Sequence, residues 1–306
     1  MKRLALSARP ADEGERIDRF IAARGGISRG AARRALEQGG VFLDGRRCKV
    51  AGRLLRSGQE VVVNLEEAGS RAPAALPLPP ERLLYADEHI VLVDKPPGVP
   101  SQPTLTSDRG HVAELASRLV GSPVILVHRL DRETSGVMVL GRTPEAARRL
   151  AEDFREGRPG KTYLALCART PRPPDGRIDS PLGKDGTRPG RRCVRADGEP
   201  AVTRYLTQSV APSGAALVEA RPETGRTHQI RVHLAHLGAP LLGDPRYGGP
   251  RLLGALPIPR VMLHAQCLEL VHPATGRILR QEAPLPEDFA AVCRALFAPE
   301  RVPPGS

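Results

Sequence analysis

Asp131 stands between two arginines in the run His128-Arg129-Leu130-Asp131-Arg132-Glu133-Thr134-Ser135-Gly136, which packs two arginines, two acids and two hydroxyls into nine positions. Apolar stretches flank it, residues 124–127 before and 137–140 after. The run therefore reads as a polar loop between two buried strands, where a scaffold usually carries reactive groups. A carboxylate among cations can act as a nucleophile, or promote departure of a leaving group, when a neighbour keeps it ionised. The same pattern also describes a structural acid held in salt bridges, and both readings stand at this point. A hydrolase using Asp131 with Glu133 is a further alternative, since the two would share a face of an extended chain. The surrounding arginines count against it, because glycosidase-type chemistry needs one acid protonated.

Other residues qualify less directly. Tyr163 lies in an alternating run, with Ala165 and Cys167 on its side and Thr162, Leu164 and Leu166 on the other, the pattern of a strand. A strand tyrosine ordinarily packs, but only 3% of residues are aromatic and tryptophan is absent, so few side chains can stack on a flat ligand. His233 and His236 stand three apart on an expected helix near His228, yet a zinc site needs further ligands and usually a carboxylate. No metal is expected. The five cysteines, Cys48, Cys167, Cys193, Cys267 and Cys293, are scattered without a C-x-x-C pair. They indicate neither a zinc site nor a disulfide framework, and fit a reducing cytoplasm.

The elements that must position these residues divide the chain. At 306 residues it exceeds the usual single domain. Residues 14–65 read as a compact unit. It opens with a short helix whose face is Ile17, Phe20 and Ile21; Ser28 then caps a second helix over 29–38, ended by Gly39-Gly40. That helix carries Arg29, Arg33 and Arg34 outward, with only Glu37 nearby to offset them. A strand at 41–43, a tight Asp44-Gly45 turn and a closing strand at 60–65 follow. Residues 66–80, rich in Pro and Ala, read as a semi-stiff linker. From 81 to 298, strand-like runs at 90–93, 162–168, 202–210, 217–221 and 261–270 are interrupted by helical patterns at 112–120 and 144–156. This predicts an α+β domain around one mixed or antiparallel sheet. Residues 299–306 are expected to be a disordered tail.

Lys and Arg outnumber Asp and Glu 46 to 34, a net charge of +12 with a pI near 10.2, which favours a polyanionic partner. The general abundance of Arg, Ala, Gly and Pro weakens that inference. No apolar run reaches the ~18–20 residues that span a bilayer, and the stretch after Met1-Lys2-Arg3 is too short for a secretory signal. A soluble cytoplasmic protein is expected.

Two resemblances sharpen the picture. The segments R-I-D-R-F-I, I-S-R-G-A-A-R-R-A-L-E-Q-G-G-V and G-Q-E-V-V-V resemble the small RNA-binding domain shared with the ribosomal protein called S-four. There the second helix lies on RNA, implying contacts through Ser28, Arg29, Arg33 and Arg34. H-R-L-D-R-E-T-S-G is similar to the signature of the RluA family of pseudouridine synthases. It is accompanied by D-E-H-I-V-L-V-D-K-P-P-G-V-P-S-Q upstream, K-T-Y-L-A-L at 161–166 and G-R-T-H-Q-I-R-V-H-L-A-H-L-G-A-P-L-L-G-D-P-R-Y-G at 225–248. The resemblance implies a cofactor-free isomerase that detaches the uracil of a uridine, rotates it and rejoins it through carbon 5. It implies Asp131 as the catalytic carboxylate and Arg231 as the arginine that orients it and keeps it ionised. Tyr163 matches the tyrosine that stacks on the uracil and takes part in proton removal.

Arg226 is expected at the mouth of a helix starting near Thr227, contacting phosphate. His128 and Arg129 are expected to fill the gap left by a flipped nucleotide or grip its flanks. Lys95 is expected to buttress the site. The implied partner is structured RNA, with ribosomal RNA of the large subunit favoured over transfer RNA by the extra domain, and the protein a monomer. The Arg-rich segment 184–195 departs from the pattern without an assigned role.

Overall fold

The computed structural model describes residues 2–65 and 77–297; the expected tail, and residues 66–76 of the linker expected over 66–80, lie outside the described residues. The described residues fall into two compact units, one of 2–65 and 77 with 99–115, the other of 78–98 with 116–297.

In the first unit, β1 (Lys2–Ser7), α1 (Ile17–Gly25), α2 (Arg29–Gln38), β2 (Val41–Leu43), β3 (Arg46–Arg47) and β4 (Glu60–Leu65) form an antiparallel sheet of order β1-β4-β2-β3 covered by two helices. Both helices end on left-handed glycines, α1 on Gly26 and α2, as expected, on Gly39, where a Cβ would be strained. The Ser28 hydroxyl caps α2, accepting from Ala31 N at 3.1 Å. Asp44 and Gly45 both have positive φ, the two-residue turn that suits a hairpin's twist. Ile17, Phe20 and Ile21 pack with Ala32, Ala35 and Leu36 over Val41, Val61 and Val63.

Two features depart from expectation. Strand β1, ahead of residue 14, pairs with β4 along its whole length from Lys2–Leu65 to Ser7–Glu60. Residues 99–115, expected within the larger domain, fold with this unit instead. Arg47 Nη2 donates to the Thr104 carbonyl at 2.7 Å, Asp108 N donates to the Gln38 carbonyl at 3.0 Å, and Lys49 pairs with Asp108 at 3.0 Å.

The second unit comprises β5 (Leu83–Ala86), β6 (Ile90–Lys95), the end of α3 (Val112–Leu119), β7 (Ile125–Leu126), β8 (Ser135–Gly141), α4 (Pro144–Glu156), β9 (Gly160–Cys167), β10 (Asp175–Asp179), β11 (Leu182–Lys184), β12 (Arg192–Val194), β13 (Val202–Val210), β14 (Ala216–Pro222), α5 (Gln229–His236), β15 (Leu252–Leu253), β16 (Leu256–Pro257), β17 (Leu263–Val271), β18 (Ile278–Glu282) and α6 (Glu287–Phe297). One mixed sheet runs β10-β13-β14-β9-β17-β8-β6-β5, with β18 beside β17 and β7 beside β8. Among the described residues its one parallel pairing joins β17 to β8, at His264–Ser135 and Ala265–Gly136. The fold is thus the α+β arrangement around a mixed sheet that the alternating runs predict.

Strand alternation decides which helix covers which face. On β9, Ala165 and Cys167 join Val218, Ala220 and the α5 residues Ile230 and Leu234 in one core. Leu164 and Leu166 point to the other face, against Met262 and the α6 residues Phe289, Val292 and Leu296. Helix α4, capped by Thr143 and ended by left-handed Gly157, packs Ala146 and Leu150 on β6 and β8. Strand β8 is buried throughout, but the expected partner stretch before the catalytic loop narrows to the partly exposed β7. Gly136, with φ of 114°, lets β8 approach β17 so closely that a side chain there would collide with the Ala265 carbonyl.

Candidate active site

The loop joining β7 to β8 presents Asp131, a quarter exposed at 26%. Opposite it, α5 supplies Arg231, whose Nη1 donates to Asp131 Oδ2 at 2.8 Å. Arg231 is itself fixed from behind: Nε and Nη2 donate to the two oxygens of fully buried Asp244 at 2.7 and 2.8 Å. Burial by itself would disfavour the guanidinium charge. The hydrogen bonds and charge of Asp244, followed by those of Asp131, outweigh it and raise the Arg231 pKa. With Nε and Nη2 committed to Asp244, Nη1 is the nitrogen that meets Asp131, and the rigid planar fork fixes where that carboxylate oxygen sits. The second oxygen, Oδ1, makes no hydrogen bond among the described residues.

Asp244 was not singled out from the sequence, although it stands in the G-D-P-R-Y-G end of the downstream element. Left-handed Gly243 makes its turn possible, since a side chain there would strike the Arg260 carbonyl. Tyr247 follows on the same turn. Its hydroxyl lies 2.7 Å from His228 Nδ1, and His228 Nε2 is 3.7 Å from Asp131 Oδ2. His228 has φ of 59°, a conformation a non-glycine residue adopts at some cost, and it stands at the N-cap of α5. Burial lowers its pKa, opposed by Asp131 and reinforced by Arg231 and Arg246, so the ring is neutral near pH 7.

The backbone of the Asp131 loop is gripped by two buried cations. Lys95, fully buried at the end of β6, donates to the carbonyls of Pro96 at 2.9 Å and Arg132 at 3.0 Å. Burial first, then the charge of Arg260, pushes its pKa down to about 7. Arg260 Nη1 donates to the Glu133 carbonyl at 3.0 Å and Nη2 to Ser135 Oγ at 3.2 Å, while Asp288 on α6 accepts from its Nε at 2.6 Å and Nη2 at 2.9 Å. Arg260, like Asp244, went unmarked in the sequence, where it is one arginine among many.

Tyr163 is half-buried on β9 beside the α5 core, and the charge of Asp131 reaches its hydroxyl. Burial first, and Asp131 second, raises its pKa, so the phenol stays protonated at neutral pH. Arg129 is exposed on the same loop as Asp131, two residues before it.

Several expectations need correction. His128 is turned into the fold: its ring stacks on Phe154 at 4.1 Å and Nε2 accepts from Val139 N at 3.1 Å, which leaves it no placement for gripping RNA. Lys95, expected only to buttress the site, is fully buried and holds the loop backbone without reaching the surface. Helix α5 begins at Gln229, two residues later than expected, and the preceding Arg226 pairs with Glu199 at 2.9 Å and donates to the Pro200 carbonyl at 3.1 Å. In the first unit, Arg29 and Arg33 are not offset by Glu37 alone: buried Asp18 lies 3.0 Å from Arg29 and 3.4 Å from Arg33, and takes Arg16 as well. Arg34 is exposed, and the Ser28 hydroxyl serves the helix cap.

His233 is held by Thr203 Oγ1 at 2.9 Å and the Ser180 carbonyl at 3.0 Å, a packing role. Among the described residues no three His, Cys, Asp or Glu side chains are grouped as a metal ion would require. None of their helices is long and apolar enough to cross a membrane.

The family model for RNA pseudouridylate synthase matches residues 89–236, and that for the S4 domain matches 15–61. An RNA pseudouridine synthase of Chloroflexus aurantiacus is 39% identical over 94% of this chain and 92% of its own. The chain belongs to the RNA pseudouridine synthase family. A Xanthomonas campestris relative named ribosomal large subunit pseudouridine synthase D is 36% identical, over 85% of this chain and 82% of its own. The dual-specificity RNA pseudouridine synthase RluA of Escherichia coli is 39% identical over 66% and 92%. The solved structure of human RNA pseudouridylate synthase domain containing 4 covers 70% of this chain and 92% of its own, with 30% identity and a TM-score of 0.56. The synthase is therefore an RNA isomerase with an S4 domain ahead of its catalytic unit, and the two-carboxylate hydrolase reading falls away.

Proposed function

We propose that Asp131 is the catalytic carboxylate, Arg231 its positioning partner and Tyr163 the surface that receives the uracil, acting on uridines of large-subunit ribosomal RNA. The observation that carries this reading is the chain Asp244–Arg231–Asp131, in which a buried ion pair fixes one oxygen of the carboxylate and leaves the other open. Isomerisation breaks the bond from N1 of uracil to C1′ of ribose, forms one from C5 to C1′, and finally moves the C5 proton to solvent while N1 regains one. Whether the carboxylate adds to the sugar, adds to the base or takes a sugar proton, it must be ionised and fixed with one oxygen free.

Tyr163 contributes its ring face and a neutral hydroxyl. A phenol held protonated by burial and by Asp131 is a poor resting base, so stacking accounts for its placement better than proton removal does. Lys95 and Arg260 act on the loop backbone, keeping the Asp131 oxygen aligned as the base rotates. A uridine must leave its stack to reach such a pocket, at a cost of a few kcal/mol, and exposed Arg129 stands on the Asp131 loop where it can meet the flanking backbone. The S4 unit, with Arg34 exposed on α2 and Arg29 and Arg33 flanking Asp18, is proposed as the anchor on structured RNA.

The preference for ribosomal RNA rests on the relative named for the large ribosomal subunit, with transfer RNA as the alternative. The protein is proposed to act as a cytoplasmic monomer that needs no cofactor. Carbodiimide mapping of pseudouridine in total RNA, with and without the gene, tests the substrate: loss of a discrete large-subunit site supports it. Loss confined to transfer RNA would replace the substrate, and an unchanged map in cells without a redundant enzyme would overturn the proposal.

A further inference from the structure

The hairpin of β11 and β12 carries residues 184–195, in which five basic residues accompany a single acid, Asp185. That acid is occupied within the turn. Its Oδ1 accepts from the backbone N and the hydroxyl of Thr187 at 2.9 and 2.7 Å, and Oδ2 lies 3.7 Å from Arg191. Arg195 is matched by Asp197 at 2.7 Å, whereas Arg192 has only a distant carboxylate, Glu199 at 3.9 Å. Arg188, at the exposed tip, and Arg246, exposed on the turn after Asp244, have no carboxylate within salt-bridge reach among the described residues.

A basic loop that served only solubility would need no attachment. This one is fastened to Tyr247 and Arg246, beside the Asp131 site, at three points. Arg192 N donates to the Tyr247 hydroxyl at 3.0 Å, Arg246 Nη1 donates to the Gly190 carbonyl at 2.8 Å, and the Arg191 guanidinium lies 5.4 Å from the Tyr247 ring centre. Tyr247 is the residue that touches His228, which in turn faces Asp131. Arg231, the partner of Asp131, lies 5.2 Å from the same Tyr247 ring, and Arg246 exerts its charge on His228, so Tyr247 and Arg246 join the base of the hairpin to the Asp131 site.

The geometry points to this hairpin, together with Arg246, as a phosphate-binding rim that holds the RNA backbone flanking the target uridine. It rests on the reading that the Asp131 pocket receives a uridine of RNA. Guanidinium forks match phosphate oxygens. Exposed arginines at a loop tip contact backbone charge and carry register rather than sequence. Backbone held beside the pocket keeps the flipped nucleotide from restacking while its base is detached. The arginine-rich composition of 184–195 is thereby a working part of the catalytic unit.

The test uses the full chain and a labelled RNA hairpin with a uridine-rich loop, with affinity measured over a range of salt. The variant R188Q/R246Q should bind more weakly, and its slope of log affinity against log salt should fall by about 1.5, two phosphate contacts at about 0.7–0.9 each. R188K/R246K should keep most of the slope. A control that removes two exposed arginines elsewhere on the catalytic unit, R155Q/R277Q, should change it much less. A slope unchanged in R188Q/R246Q, or lowered equally in the control, overturns the rim. Pseudouridine formation by the unsubstituted protein on transcribed large-subunit ribosomal RNA is followed in parallel. Its absence, with the slope change present, would remove the uridine reading while leaving the hairpin as an RNA contact.

Discussion

Replacing Asp244 by Asn keeps the shape of the side chain and removes the charge that holds Arg231. Asp244 is wholly buried and accepts two hydrogen bonds from the guanidinium at 2.7 and 2.8 Å. An Asn oxygen can accept one of them, while its NH2 would face the other donor. Breaking a buried pair from one side costs about 3–5 kcal/mol, because the remaining charge is left uncompensated. Asp131 still offers Arg231 a partly exposed counter-charge at 2.8 Å, so the lower end, about 3 kcal/mol, is expected for Asp244→Asn. Arg231→Met leaves Asp244 stranded in the same way and should cost as much. The double variant has no buried charge to strand, and should be more stable than the sum of the two losses predicts by about 2 kcal/mol or more.

Urea unfolding of the four proteins, with unchanged m values, measures this cycle. Catalysis should not follow stability. With the guanidinium released from its fork, Asp131 loses its fixed oxygen, and kcat should fall by about 100-fold in Asp244→Asn while RNA affinity stays within a few-fold. The double variant should recover stability without recovering turnover. Additive losses within about 0.5 kcal/mol, or an Asp244→Asn enzyme that turns over normally, would refute the claim that Asp244 positions Asp131 through Arg231.

Two further predictions concern the neighbours of Asp131. Tyr163→Phe keeps the ring and should retain turnover within about tenfold, whereas Tyr163→Ala should lose well over 100-fold, the order expected when a positioning surface is removed; equal loss in both would assign the hydroxyl the essential part. Lys95 has a folded pKa near 7, below its ordinary value of 10.5, so between those values the unfolded chain binds more protons and stability rises with pH. Lys95→Met should abolish that rise, a difference on the order of a few kcal/mol across the window, and parallel stability profiles of the two proteins from pH 7 to about 10 would contradict it.

Much of this was legible in the sequence because the signals were local. The Ser28 cap, the Asp44-Gly45 turn and the alternation of Tyr163 to Cys167 are set by neighbours a few residues away, and they stand where the patterns put them. Strand β1 carries no local signal, because its partner among the described residues is β4, more than fifty residues on. Helix α6 carries Phe289, Val292 and Leu296 at helical spacing, a short stripe whose role appears only once β9 and β17 provide the face it covers. The grouping of residues 99–115 with the first unit depends on Arg47 and Lys49, whose reach no local pattern encodes.

Charges followed the same rule. Asp131 and Arg231, a hundred positions apart, were linked only through resemblance. Asp244 and Arg260, which brace that pair and its loop, are spoken for by no local spacing. His128 misled for the opposite reason: adjacency to Asp131 in sequence suggested the substrate side, but its ring turns inward onto Phe154.

The central claim is that Asp131 performs the chemistry and does not merely hold RNA. The measurement that tests it most directly is single-turnover pseudouridine formation by Asp131→Asn on transcribed large-subunit ribosomal RNA, with binding measured on the same samples. No product at full occupancy, with affinity close to that of the unsubstituted protein, is the predicted result. Substantial turnover by Asp131→Asn would contradict the account and move the catalytic carboxylate elsewhere.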